Sequence, residues 1–550
     1  MRWSKVNRKG KKWYRFMKQL SFVRQALAVC WFLFGFHLWI GCVGTASHAE
    51  VRLATIFADH MVVQRDRPLT FWGWGTPGEE IEVRLGDQAG QAQVATDGSW
   101  ACKIGALPMS REGLELVVRA SNEIRVRDVL VGDVWLCSGQ SNMEWGLGGC
   151  DAPEDIAQSN EPMIRHFGVE MNFAHTPKSE VRGRWSVATP QSTPGFTAVG
   201  YYFAKRVHSE TGVPIGIVRS SVGGTNIECW MAQETLMNTP ALEPYARMMR
   251  ESLAQYQKDL ATVIPEVEKW TLEARQQVLA GTEISMPPAV PDFPFGEKMF
   301  RPRCVTLHNG MIHPLKRLSL RGVLWYQGEN NAGNAEDGKQ YIEKKRAMVS
   351  DWRKWFSDPD LPFYFVQLAA WQSPTKDPAQ ADGWAYFRDA QRKALSIENT
   401  GMAVAIDIGD AQDIHPKNKY DVGERLARWA LVHQYGKSIE CSGPLFRQLT
   451  IDANRAVIEF DHVGQGLMVG RKSGREPVAQ AAGESLSRFA IAGEDRKWYW
   501  AEATIEGDKV VCTHPEVARP VAVRYGFSMN PEGANLYNRD GLPASPFTTE

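Results

Sequence analysis

Cysteine is sparse in this chain and poorly spaced for ligation. Nine cysteines are scattered over 550 residues, with no Cys-x-x-Cys pair and no His/Cys run at zinc-module spacing. Neither a disulfide scaffold nor a zinc module is expected, and no metal or cofactor is implied. Net charge is also lacking: 63 basic residues balance 63 acidic ones. Beyond residue 49 no apolar run is long enough to span a bilayer. No internal repeat or low-complexity tract stands out, and the Gly-x-Ser-x-Gly elbow of many hydrolases is missing.

The charge balance hides an asymmetry. Nine basic residues and no acidic ones lie in the first 49 positions, ahead of and leading into an apolar stretch from Ala26 to Val43. Thr45-Ala46-Ser47-His48-Ala49 follows, with small residues placed for cleavage after Ala49. Residues 1–49 therefore read as a signal peptide, and the protein as secreted or periplasmic, with retention as an anchor the alternative. Without them the chain carries nine more acidic than basic residues. That excludes nucleic acid as an expected partner, and no stable membrane insertion is expected after cleavage. Seven cysteines remain, enough for one or two disulfides, although Cys137 inside an apolar run reads as a buried small hydrophobe.

Hydrophobic patterning divides the rest. Residues 50–130 alternate (Ile81, Val83, Leu85 against Glu82 and Arg84) between frequent turn signals, which predicts an amino-terminal β-sandwich-like domain. Residues 131–435 change rhythm. Short apolar runs at Val131–Cys137, Ile215–Ser220, Leu318–Tyr326, Pro362–Leu368 and Met402–Ile408 predict strands. Helix-period segments at Val199–Thr211, Gln340–Phe356, Tyr386–Ser396 and Gly423–Tyr435 separate them. The pattern is that of an α/β fold with a parallel sheet covered on both faces. Residues 232–300, helical over Leu242–Leu279 and then proline-rich, read as an insertion or lid. Residues 440–550 return to β, with strands expected at Ala456–Phe460, Trp498–Ala503 and Val521–Tyr525.

The strongest chemical signal is Cys137-Ser138-Gly139-Gln140-Ser141-Asn142-Met143, where a buried run stops at a turn. Such a turn projects beyond the carboxyl end of a strand and presents Ser141 at a cleft rim. Three companions also follow strands. Ser220-Ser221-Val222-Gly223-Gly224-Thr225 offers glycine N–H groups for a developing anion. Trp325-Tyr326-Gln327-Gly328-Glu329 carries an amide donor, Gln327, for the same purpose. Asp410-Ala411-Gln412-Asp413-Ile414-His415-Pro416 supplies a candidate base, His415.

Together these blocks resemble the SGNH-type hydrolases and, within them, the sialate O-acetylesterase family. The segments Phe57–Arg65, Trp72-Gly73-Trp74 and Leu307–Ile312 are similar as well. The resemblance implies an SGNH-type (flavodoxin-like) parallel sheet and a serine esterase that removes O-acetyl groups from sugars, most expectedly O-acetylated sialic acid. It implies Ser141 and His415 as catalytic residues, with Asp413 the candidate third member, Gly223, Gly224 and Gln327 around the oxyanion, and no cofactor. Trp230, Trp325, Tyr326 and Glu329 become candidates for holding the sugar. Two other readings stand beside it: an acetyl esterase acting on a plant polysaccharide such as xylan, and a non-catalytic carbohydrate-binding protein.

The histidine block departs from the common pattern. Many SGNH enzymes carry an aspartate three residues before the histidine; here that position is Gln412, with Asp413 two before and Asp410 five before. Side chains two apart on an extended segment stand roughly 6 to 7 Å apart. Direct contact between Asp413 and His415 therefore requires a bent loop. The acceptor that orients the imidazole is Asp413, Asp410 or a main-chain carbonyl, and with an extended segment Asp413→Asn and Asp410→Asn are each expected to retain much of the wild-type kcat, while His415→Ala is not.

Overall fold

The computed structural model describes residues 50–294 and 304–550. The expected signal peptide, 1–49, lies outside the described residues, as does the end of the proline-rich stretch.

One long strand organises the molecule. β1, Glu123–Gly139, is buried continuously from Val129 onward. Its first half pairs antiparallel with Ser110–Arg119, while Val62–Gln64 runs parallel beside Leu130–Gly132. Its second half lies in the central sheet. Residue 130, the expected domain boundary, thus falls inside a continuous strand, and one apolar core runs from Val51 to Cys441.

The central sheet adds β2 (Glu161–Val169), β3 (Gly183–Ala188), β4 (Ile215–Ser221), β5 (Gly322–Tyr326), β6 (Phe363–Val366) and β7 (Thr400–Ala403), in the order β3-β2-β4-β1-β5-β6-β7. All neighbours are parallel except the β2/β3 hairpin. That hairpin was not expected, because Arg165 and His166 break its apolar pattern.

Helices cover both faces, which is why the strands are almost wholly apolar. On one face Trp135 and Tyr364 stack, Trp135 meets Phe203 of α2 (Ala198–Thr211), and Tyr364 lies against Trp429 of α6 (Lys419–Tyr435). On the other, Trp325 and Phe363 meet Trp352 of α4 (Ala335–Trp355), whose Tyr341 packs on Phe387 of α5 (Gly383–Lys393). Adjacent residues Phe363 and Tyr364 face opposite layers, as strand alternation requires. The helix ends follow local chemistry. Thr197 caps α2 through Gly200 N–H, Asn418 caps α6 through Asp421 N–H, and Gly212 and Gly436 close the two helices at φ 68° and 66°.

The remaining long helix, α3, spans Glu243–Leu279 as the periodicity predicts; only Ala246 and Met249 are buried. The carboxyl-terminal region is antiparallel β with a core of its own, including Ile458, Ile491, Val510, Tyr525 and Phe547. The strand expected over Trp498–Ala503 is broken at Ala501 into Trp498–Trp500 and Glu502–Glu506, which join different sheets. None of the seven described cysteines forms a disulfide; all are buried, Cys137 among them, and burial holds its thiol far above the ordinary range.

Candidate active site

The nucleophile block is shaped by a close approach of two strands. Gly139 ends β1 at φ 133°, and a Cβ there would lie 2.1 Å from the Tyr326 carbonyl oxygen of β5. Only glycine fits. Gln140 N–H donates to that same carbonyl at 2.9 Å. Ser141 then opens the short helix α1 (Ser141–Glu144), just beyond the carboxyl edge of the sheet.

His415 reaches this serine from 274 residues away, its Nε2 standing 2.9 Å from Ser141 Oγ. Asp413 Oδ1 accepts from the His415 backbone N–H at 2.8 Å and lies 3.1 Å from Nδ1. The extended-segment expectation therefore fails. The loop bends because one carboxylate oxygen gathers both N–H groups of the same residue. A carboxylate only accepts, so the contact assigns the proton to Nδ1 and leaves Nε2 as the acceptor for the serine hydroxyl. The His415 N–H, foremost, holds the Asp413 carboxyl below its usual range. Asp410 accepts instead from Gln412 N–H at 2.8 Å.

Three residues that sequence reasoning gave no role hold this loop. Trp145 stacks on the imidazole at 4.8 Å and 18°. Asn142 Nδ2 donates to the Ile414 carbonyl at 3.0 Å and to Glu329 Oε1 at 2.5 Å. Lys419 Nζ, buried, donates to Asn142 Oδ1 at 2.5 Å and Pro416 O at 2.6 Å. Burial lowers the Lys419 ammonium to about 8 and pushes the Glu329 carboxyl up. Asn142 was visible as part of the nucleophile block; nothing in the sequence around Lys419 marks it. Glu329 thus braces Asn142.

The residues expected around the oxyanion divide. Gly223 lies beside the serine: a Cβ there would be 3.2 Å from Ser141 Cβ. Its N–H is already engaged, donating to Glu144 Oε2 at 2.7 Å, and Arg219 lies 3.7 Å from the other oxygen of that carboxylate. Gly224, exposed at φ 67°, forms the turn. Gln327 is wholly buried, and both its amide hydrogens are used inside the fold, on Thr225 O at 3.1 Å and Asn331 Oδ1 at 2.7 Å. Its expected place as an oxyanion donor is corrected: it ties the loop after β5 to the loop after β4. The three aromatics are corrected likewise. Trp230 and Trp325 pack edge to face at 6.1 Å with no exposed surface, and Tyr326 is 1% exposed. They are core residues under the site, unable to touch a sugar.

What the site assembles is a hydroxyl bonded to an imidazole whose other nitrogen is held by a carboxylate, an arrangement suited to acyl transfer. Residues 131–265 and 296–432 match the family described as carbohydrate esterase, sialic acid-specific acetylesterase. A carbohydrate acetylesterase from Xanthomonas citri is 36% identical, over 91% of this chain and all of that one, with a TM-score of 0.74. This chain belongs to that carbohydrate esterase family. Sialate O-acetylesterases of Mus musculus and Homo sapiens are 27% and 26% identical, over 93% and 75% of this chain and 97% and 77% of theirs. As an esterase of this family the chain is a carboxylic ester hydrolase, and the four blocks that carried the resemblance lie within or beside the matched segments.

Proposed function

We propose that this esterase removes O-acetyl groups from O-acetylated sialic acid through a Ser141–His415–Asp413 triad on an SGNH-type sheet. The carrying observation is the 2.9 Å contact between Ser141 Oγ and His415 Nε2, with Asp413 on the far nitrogen. Setting the β2/β3 hairpin aside, the strands β4-β1-β5-β6-β7 stand in the chain order 2-1-3-4-5, which supports the flavodoxin-like reading. The named relatives support the substrate. The amino-terminal and carboxyl-terminal β regions are read as flanking domains that border the sugar cleft.

In this mechanism Ser141 Oγ attacks the acetyl carbonyl carbon and its proton passes to His415 Nε2. The imidazolium, steadied by Asp413, gives that proton to the departing sugar oxygen, and acetyl-Ser141 remains. Water, deprotonated by His415, then releases acetate and restores the serine. The Ser141 N–H at the head of α1 and the Gly223 N–H stabilise the oxyanion once Glu144 has swung off the latter. No cofactor enters this scheme. Export follows from residues 1–49, and amino-terminal sequencing of the exported protein is expected to begin at Glu50.

The test pairs a fluorophosphonate probe with two substrates. Wild type is expected to label at Ser141 and to hydrolyse 9-O-acetyl sialic acid faster than acetylated xylan. Folded Ser141→Ala is expected neither to label nor to turn over, a loss on the order of 10⁶ in kcat. Unlabelled wild type would restore the non-catalytic sugar-binding reading, and a preference for xylan would replace the substrate.

A further inference from the structure

Away from Ser141, three metal-ligating side chains meet where α6 ends and the carboxyl-terminal β region begins, and a fourth, His433, lies beside them. His433 lies in the last turn of α6, Glu440 and Cys441 in the connector, and His462 just past the strand Arg455–Asp461. Donor atoms of Glu440, Cys441 and His462 all lie within 4.8 Å of one another. His462 Nδ1 is 2.8 Å from Glu440 Oε1, and His433 Nε2 is 4.0 Å from Cys441 Sγ. In a tetrahedral zinc site, with Zn–S about 2.3 Å and Zn–N about 2.0 Å, neighbouring donors stand roughly 3.3 to 3.7 Å apart. Shifts of about an ångström bring the Glu440, Cys441 and His462 donors to that spacing, and His433 Nε2 stands outside this trio, 4.0 Å from the sulfur.

The surroundings hold the imidazoles in place. Trp429 stacks on His433 at 5.4 Å and 15° and meets His462 edge-on at 5.8 Å. His462 adopts φ 59°, a left-handed conformation uncommon outside glycine, and Asn538 Nδ2 fixes its carbonyl at 3.0 Å. An ordinary buried thiol beside an ion pair explains Cys441 and the Glu440–His462 contact. It does not explain a second imidazole turned towards the sulfur.

We propose that His433, Glu440, Cys441 and His462 form a structural zinc site that ties α6 to the carboxyl-terminal β region. One thiolate, two imidazoles and one carboxylate suit zinc, and four protein ligands leave no open position, which marks a structural site. On binding, the Cys441 thiol releases its proton to solvent and the His462 Nδ1 proton relocates to Nε2, freeing Nδ1 to ligate. No zinc spacing is visible in the sequence because the ligands come from three separate segments.

The test uses the purified, EDTA-stripped protein titrated with Co²⁺ and then Zn²⁺. One equivalent of Co²⁺ is expected to produce a sulfur-to-cobalt charge-transfer band, and Zn²⁺ is expected to displace it and raise Tm. Cys441→Ser should abolish both the band and the Tm rise. His462→Gln should weaken Co²⁺ binding by about tenfold or more. Both variants keep Ser141 and His415, so retained hydrolysis of p-nitrophenyl acetate reports that they are folded. Wild type without a band in excess Co²⁺, a band that survives in Cys441→Ser, or binding with unchanged Tm would each overturn the site.

Discussion

Asp413 does two things with one oxygen, and its replacements separate them. Oδ1 fixes the backbone of His415 and fixes the proton on Nδ1. In Asp413→Asn the amide oxygen can accept both N–H groups in the same geometry, so the tautomer survives and only the charge opposite the imidazolium is lost. The Asp413 side chain is 40% exposed, so solvent already screens that charge. Asp413→Asn is therefore expected to lose only about 10- to 100-fold in kcat, against about 10⁴ for a buried triad aspartate. Asp413→Ala, which also frees the backbone, should lose more. Steady-state hydrolysis of p-nitrophenyl acetate by folded variants measures both. A loss near 10⁴ in the asparagine variant would mean that the amide turns its NH₂ towards Nδ1 and traps the wrong tautomer. The sequence offered Asp413 as one candidate but not its geometry. Spacing along a chain gives distance only when the backbone is extended, and this backbone is bent by the very contact in question.

Strands and helices were legible where a single period ran unbroken. The apolar runs ending at Cys137, Ser220 and Tyr326, and the helices capped by Thr197 and closed by Gly212 and Gly436, fall within a few residues of expectation. The β2/β3 hairpin was not, because partial burial dilutes its pattern, and β1 concealed the boundary at 130 by serving two sheets at once. Side-chain direction was illegible throughout. Trp230, Trp325, Tyr326 and Gln327 lie at or next to the strand ends expected to border the site but point down into the fold, a side-chain direction that composition does not reveal. The loop after β5 makes this testable. Gln327 Oε1 accepts from Tyr341 OH at 2.9 Å, and its amide hydrogens hold Thr225 and Asn331. Gln327→Ala leaves these buried groups unpaired, at a cost of about 1 to 3 kcal/mol in unfolding free energy. Its kcat is expected to fall by less than about tenfold, short of the 10²–10³ lost with an oxyanion donor. Urea unfolding alongside kinetics distinguishes the outcomes. Unchanged stability with a 10²-fold slower kcat would return Gln327 to the oxyanion.

At the scale of the whole molecule, the core that carries the site also encloses two histidines that the chemistry does not use. His166 stacks on Phe196 at 4.5 Å and 14°, and His308 packs against Trp355 at 5.0 Å. Burial lowers each imidazole to about 3, helped by the nearby Arg219 guanidinium for His166 and by His313 for His308. Both are thus neutral in the folded protein, whereas in the unfolded chain they titrate near 6.5. The folded value lies below the unfolded one, so the unfolded chain binds protons first. Stability is complete above about pH 6.5 and declines as pH falls towards 3. Between pH 7 and pH 5 each histidine removes about 2 kcal/mol. Against a total stability of about 5 to 15 kcal/mol, two such groups are expected to lower stability measurably on acidification. His166→Leu keeps an apolar side chain against Phe196 and removes one titration. Its loss of unfolding free energy between pH 7 and pH 5 is expected to be smaller than the wild-type loss by about 2 kcal/mol, whatever the substitution does to stability at pH 7. Urea unfolding at the two pH values measures the difference. Equal losses in the two proteins would mean that His166 takes up its proton in the folded state as readily as in the unfolded chain, through a local opening around β2 that admits water to the ring.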